Sequence, residues 1–193
     1  MKRIFSLCLV ALCIVGFVAC NRGQSSSGLG DSLDSPTFSL DGVVYTLPVH
    51  FSELEANGWR PYDTDPRSGS VYRFAIDTLD PGDSVGWELI LGDQNVIVGL
   101  ANLSEEVLPL SESYVVDISV LFEIYDAQLI LSGDIMLGST FEEVIIAYGE
   151  PSSWHDFEDR ILLFYSSDYF GLQITVDTES NLVMVMTIRY LGG

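Results

Sequence analysis

The chain has 193 residues, with 28 Asp and Glu against 8 Lys and Arg, and a formal net charge of −20. So acidic a chain has no basic patch to neutralise phosphates, which excludes nucleic acid as a partner, and anionic lipid headgroups repel its surface. The three cysteines, Cys8, Cys13 and Cys20, lie within the first twenty residues, so no disulfide staples the rest and the fold must rest on its core.

Residues 1–20, MKRIFSLCLVALCIVGFVAC, set Lys2 and Arg3 before a charge-free apolar run from Ile4 to Ala19. This is the pattern of a secretory signal. The sixteen residues of the run reach only ~24 Å as a helix, short of the roughly 30 Å hydrocarbon core, which argues against a membrane span. Val18-Ala19-Cys20 resembles the lipobox of bacterial lipoproteins, with Phe17 where Leu is usual. That resemblance implies a diacylated Cys20 as the first mature residue, and a lipid anchor in the cell membrane on its extracytoplasmic face. Removal of residues 1–19, Lys2 and Arg3 among them, leaves 174 residues with six Arg, no Lys and a formal charge of −22. Every lysine-dependent mechanism is thereby excluded.

Residues 21–36 begin with NRGQSSSGLGDSLDS, a Ser- and Gly-rich flexible tether. Such a segment has an r.m.s. span of roughly 20 Å and a maximum near about 50 Å. From residue 37 the periodicity becomes that of a folded chain. FSLDGVVYTLP (38–48) reads as two short strands about the Asp41-Gly42 turn. A short helix is expected over about residues 49–57, weakly capped, with Gly58 as its stop. RPYDTDPRSGS (60–70) is a loop. Strands follow at 71–79, 85–92, 95–103 and 113–123, joined by hairpin-type connectors. In the last of these Tyr114, Val116, Ile118, Val120 and Phe122 alternate as one face.

LGSTFEEVIIAYGEP (137–151) holds a second helix. Ser139 is the expected N-cap, with Glu142 reaching back to complete a capping box. Phe141, Val144, Ile145 and Tyr148 form one apolar stripe, and Gly149 and Pro151 end it. Further strands are expected at 160–167, 170–178 and 182–190. A helix followed by a meander, twice over, predicts an α+β fold of two related units, each a short helix packed on an antiparallel β-meander, over 37–126 and 127–193.

Gly138, Ser139, Thr140, Glu143, Val144, Gly149 and Pro151 resemble a motif of small bacterial lipoproteins with folds similar to β-lactamase inhibitor protein and to SmpA/OmlA-type outer-membrane lipoproteins. LPVHFSELEANGW (47–59) also resembles the N-terminal half of exported lipoproteins from Gram-positive bacteria. The resemblance implies tandem units that present a sheet surface for protein binding. It transfers no catalytic residue.

The residues themselves name no catalytic group and no cofactor. His50 and His155 are not paired at zinc-ligand spacing, and His155 falls in SSWHDFEDR, which reads as a solvated acidic loop, so no metal site is assigned. No calcium loop, nucleophile elbow or phosphate loop occurs. Asn102-Leu-Ser104 matches a glycosylation sequon by chance. Aromatic side chains are the better lead, because exposed aromatics anchor interfaces. Trp87 is expected in the core, since it alternates with Val85 and Leu89. Trp59, Trp154, Tyr165 and Tyr169 are the candidate binding residues. The expected function is a non-enzymatic, membrane-anchored binding or envelope accessory module with a protein partner. The alternatives are a carboxylate-pair hydrolase and a structural envelope component.

Overall fold

The computed structural model describes residues 36–62, 76–125 and 127–192. Cys20 with the signal-like segment, the tether up to residue 35, and the first part of the strand expected at 71–79 lie outside those residues. In chain order the elements are β1 (Thr37–Leu40), β2 (Val43–Thr46), β3 (Val49–His50), α1 (Phe51–Ala56), β4 (Arg60–Pro61), β5 (Thr78–Leu79), β6 (Ser84–Leu91), β7 (Gln94–Ala101), β8 (Leu108–Pro109), β9 (Tyr114–Leu121), β10 (Leu129–Leu131), α2 (Phe141–Tyr148), β11 (Ser153–Asp156), β12 (Arg160–Ser166), β13 (Phe170–Asp177) and β14 (Val183–Tyr190).

One antiparallel sheet dominates. Its order is β11-β12-β13-β14-β9-β7-β6-β4, and β3 also pairs with β9, which makes nine strands. A second sheet, β10-β1-β2, and a two-stranded pair, β5-β8, complete the described β-structure. β1 and β2 meet as the Asp41-Gly42 dipeptide demands. Both residues have positive φ, 49° and 80°, as a two-residue type I′ hairpin turn requires.

The fold class expected from the sequence is corrected here. The described residues are mostly β, with two α-helices of six and eight residues among them, not an α+β pair of helix-on-meander units. The physical reason is the β9–β14 ladder. Val185 pairs with Leu121, Ile188 with Ile118 and Arg189 with Asp117, so the strand runs that follow the two helices fuse into one sheet. The inward face of that sheet then feeds a single cluster. Trp87, Val98, Ile118, Ile188, Leu172 and Tyr165 lie in one row across it. Phe38 and Leu40 of β1, Phe51 and Leu54 of α1, and Val144 of α2 join the same core.

Two bulges set which side chains face inward. The register skips Val116 between the pairs Gly99–Asp117 and Leu100–Val115, and skips Met184 between Thr175–Val185 and Val176–Val183. An extra residue flips the side-chain phase of everything beyond it. In β9 the buried residues are therefore Val115, Ile118 and Val120, in place of the unbroken alternation expected from Tyr114 to Phe122, and Phe122, one residue past the end of the strand, is exposed.

The second helix is capped one residue later than expected. Thr140, not Ser139, is the N-cap. Its hydroxyl accepts from the Glu143 N–H at 3.2 Å, and the Glu143 carboxylate accepts from the Thr140 N–H at 2.8 Å. Ser139 is buried in the preceding turn, where its hydroxyl accepts from the Met136 N–H. The first helix is capped by an unexpected group: the His50 side chain accepts from the Ser52 N–H. The α2 C-terminus is tied to the sheet by two tyrosines. The Tyr148 hydroxyl donates to the Ser132 carbonyl at 2.6 Å and the Tyr165 hydroxyl to the Gly149 carbonyl at 3.2 Å, with the rings edge-to-face.

Candidate functional site

The sheet is covered by the core on one side and is mostly half-buried on the other. Residues directly opposite in the ladders share a face, so the outward rows can be read from the register. One row runs Phe164, Gln173, Thr187, Ser119, Ile97 and Glu88, every member half-buried. Within it the Ser119 and Thr187 hydroxyls are hydrogen-bonded at 2.8 Å. A second outward row runs Leu162, Thr175, Val185 and Leu121.

A third row is built of small residues around one ion pair. Arg189 Nε lies 3.8 Å from Asp117 Oδ2. Asp117 leans over Gly99, whose N–H it accepts, and a Cβ at position 99 would collide with its carboxylate. Burial raises the Asp117 pKa above the ordinary carboxylate value, against the opposing pull of Arg189 and the Gly99 N–H. The neighbours in the row are Gly86 and Gly171.

The second row and the β11–β12 hairpin enclose a half-open depression of about 310 Å³. Leu121, Leu162, Met184, Val185 and Phe157 form its apolar lining, and Arg160, Gln173 and Thr175 supply the polar groups. The Arg160 guanidinium sits 5.7 Å from the Phe157 ring centroid and 3.6 Å from an Asp159 carboxylate oxygen. His155 lies edge-on to Phe164, with centroids 5.8 Å apart, and close to Phe157. Another depression, of about 360 Å³, opens beside the turn after β9 between Phe122, Leu129, Met136 and Leu137, with Glu123 at its rim. Neither brings two carboxylates together. Among the described residues no group of three or more His, Cys, Asp or Glu is placed to hold a metal ion.

The four aromatic candidates separate cleanly. Trp59 is 1 % exposed and packs in the core beyond α1, its backbone N–H donating to the Leu54 carbonyl. Tyr165 is 3 % exposed, and burial pushes its hydroxyl pKa up to about 12. Neither offers surface to a partner; both follow inward strand or helix-end positions where the core needed volume. Trp154, at 57 %, stands on the edge strand β11, and Tyr169, at 59 %, in the turn between β12 and β13. The acidic loop expected around His155 is itself a strand: Trp154 pairs with Leu163 and His155 with Leu162. Sequence reasoning missed Phe157, Leu162, Phe164 and Val185. The signal was present in the unbroken apolar run Ile161 to Tyr165, which an antiparallel strand wet on one face should not have.

Comparisons of the chain with protein-family models, with curated proteins and with solved structures give no match. Among the described residues no helix is long and apolar enough to cross a membrane.

Proposed function

We propose that this chain is an extracytoplasmic lipoprotein, held to the membrane by a diacylated Cys20, whose folded part is a non-enzymatic protein-binding module acting through the outward face of its main sheet. The observation that carries the reading is the apolar depression on that face, with Phe157 half exposed at its rim and a guanidinium and an amide within it. Exposed apolar surface rimmed by polar groups marks interaction sites, and aromatic and arginine side chains supply most of the binding energy at such sites. The Ser- and Gly-rich composition of residues 21–35 supports the reading too, since a stretch of that composition is expected to hold a folded part near the membrane without pressing it there. The lipoprotein resemblance of the helix motif and of Val18-Ala19-Cys20 points the same way.

The test is site-specific photo-crosslinking in producing cells. A benzophenone side chain at Gln173, inside the depression, should yield a discrete crosslinked protein. The same group at Ile146, an exposed position of α2, should not. Equal adducts from both positions, or none from Gln173, contradict the reading.

A further inference from the structure

The sheet has two outer edges, and they are not alike. One is β4, two residues long and containing Pro61, a strand too short and too poor in donors to template another. The other is β11, Ser153–Asp156, regular, free of proline and bulge, and exposed at every residue. Among the described residues no strand pairs with its far side.

Which backbone groups that edge offers follows from the hairpin. The Phe157 N–H donates to the Arg160 carbonyl at 2.9 Å, which makes that pair a hydrogen-bonded one. In an antiparallel ladder such pairs alternate with non-bonded pairs. Ser153 and His155 therefore spend their backbone groups on β12. Trp154 and Asp156 turn theirs outward.

The side chains at this edge are equally unequal. Trp154 and Asp156 lie on one face of the strand, and His155, Phe157 and Phe164 on the other. Between residues 150 and 168 stand five carboxylates, Glu150, Asp156, Glu158, Asp159 and Asp168, against Arg160, which is already paired with Asp159. Charge on an edge strand is a guard against self-pairing. With a net charge of −20, a second copy meets repulsion there, and a cationic strand meets attraction.

We infer that β11 is a strand-addition site for an extended cationic segment of a partner protein. The inference rests on the binding-module reading and gives it a chemistry. The incoming strand bonds to the backbone of Trp154 and Asp156. It sets an apolar side chain beside Trp154 and, two residues along on the same face, a Lys or Arg beside Asp156. Main-chain bonds give the affinity and alternate side chains the specificity.

The probe is a fluorescein-labelled peptide, Thr-Val-Thr-Lys-Thr-Val-Thr-Lys, titrated into the full-length protein in detergent and followed by anisotropy. It should bind at least about tenfold tighter than the same peptide with Glu for Lys, and more weakly as salt is raised. N-methylation of its Val and Lys amides should lower affinity about tenfold or more, because those amides face β11. Asp156→Pro, which removes an outward N–H without breaking a bond to β12, should do the same, while Asp156→Ala costs only a few-fold. Full affinity of the N-methylated peptide, or no binding of the Lys peptide, overturns the inference even where Asp156→Pro fails to fold. If crosslinking from Gln173 persists in that case, only strand addition is lost; if both fail, the binding-module reading goes with it.

Discussion

Asn102 shows how a residue's meaning changes with burial. As a sequence it is the first residue of a sequon. In the structure it is 1 % exposed, and its amide donates to the Leu79 carbonyl at 2.9 Å and the Glu106 carbonyl at 2.6 Å, while its oxygen accepts from the Ser104 N–H and hydroxyl. It pins the β5–β8 pair to the end of β7. Asn102→Ala leaves those carbonyls and donors without a partner and is expected to cost about 2–4 kcal/mol, read as a lower urea midpoint with the slope unchanged. Asp117 is a second case. Its folded pKa lies above the unfolded value, so the folded state holds this proton more tightly. The contribution to stability is full below the ordinary carboxylate range and is lost as pH rises through the raised value. Asp117→Asn removes that titration and still accepts from Gly99. Its melting temperature is expected to gain on the wild type as pH goes from about 4 to about 7. A gap that stays constant or shrinks over that range would mean that Arg189 outweighs burial. Nothing in the letters announced either role, because burial of a polar group is a property of contacts made by distant residues.

At the scale of elements, the local signals were strong and the joints between them were not. Helix α2, the Asp41-Gly42 turn and the strands β6, β7, β12, β13 and β14 are written in spacing of three to four, in turn chemistry and in alternation. The capping box was legible but its frame was not, since Ser139 and Thr140 are adjacent and each has an acid three residues on. Tertiary contact decided it: the Val183 N–H donates to the Ser139 carbonyl and binds the turn to β14, which leaves Thr140 to begin the helix. Thr140→Ala is expected to cost about 1 kcal/mol in thermal unfolding, because the Glu143 N–H loses its acceptor. Tyr165→Phe tests the other end. It removes the bond to the Gly149 carbonyl and keeps the ring against Tyr148, so a loss of about 1 kcal/mol is expected, well short of that for Tyr165→Ala. Equal losses from the two variants would show that the hydroxyl, not the ring, fixes α2. The bulges at Val116 and Met184 were not read from the sequence, because neighbouring apolar residues, Val115 with Val116 and Val183 to Met186, let either phase of alternation fit.

For the whole molecule, the sequence suggested two units and the β9–β14 ladder made one sheet. Pairing between strands separated by more than sixty residues leaves no mark on the periodicity of either. One core predicts one cooperative transition. Far-UV ellipticity and tryptophan fluorescence should give coincident unfolding curves, and Ile118→Ala, at the centre of the inward row, should shift both by about 2–5 kcal/mol. Two separated transitions would restore the independent units. The proposed lipid anchor is tested at this scale as well. Mass spectrometry of the mature protein should find diacylglyceryl on Cys20, and Cys20→Ser should release the protein from the membrane fraction; an unmodified N-terminus at another residue contradicts the lipoprotein assignment. The central claim, that function lies on the outward sheet face, is tested most directly by amide shift mapping of the folded domain with the protein crosslinked from Gln173. The account predicts shifts concentrated in β12, β13 and β14 at Leu162, Phe164, Thr175 and Val185. Shifts concentrated in α2 or around Phe122, with those four unchanged, would contradict it.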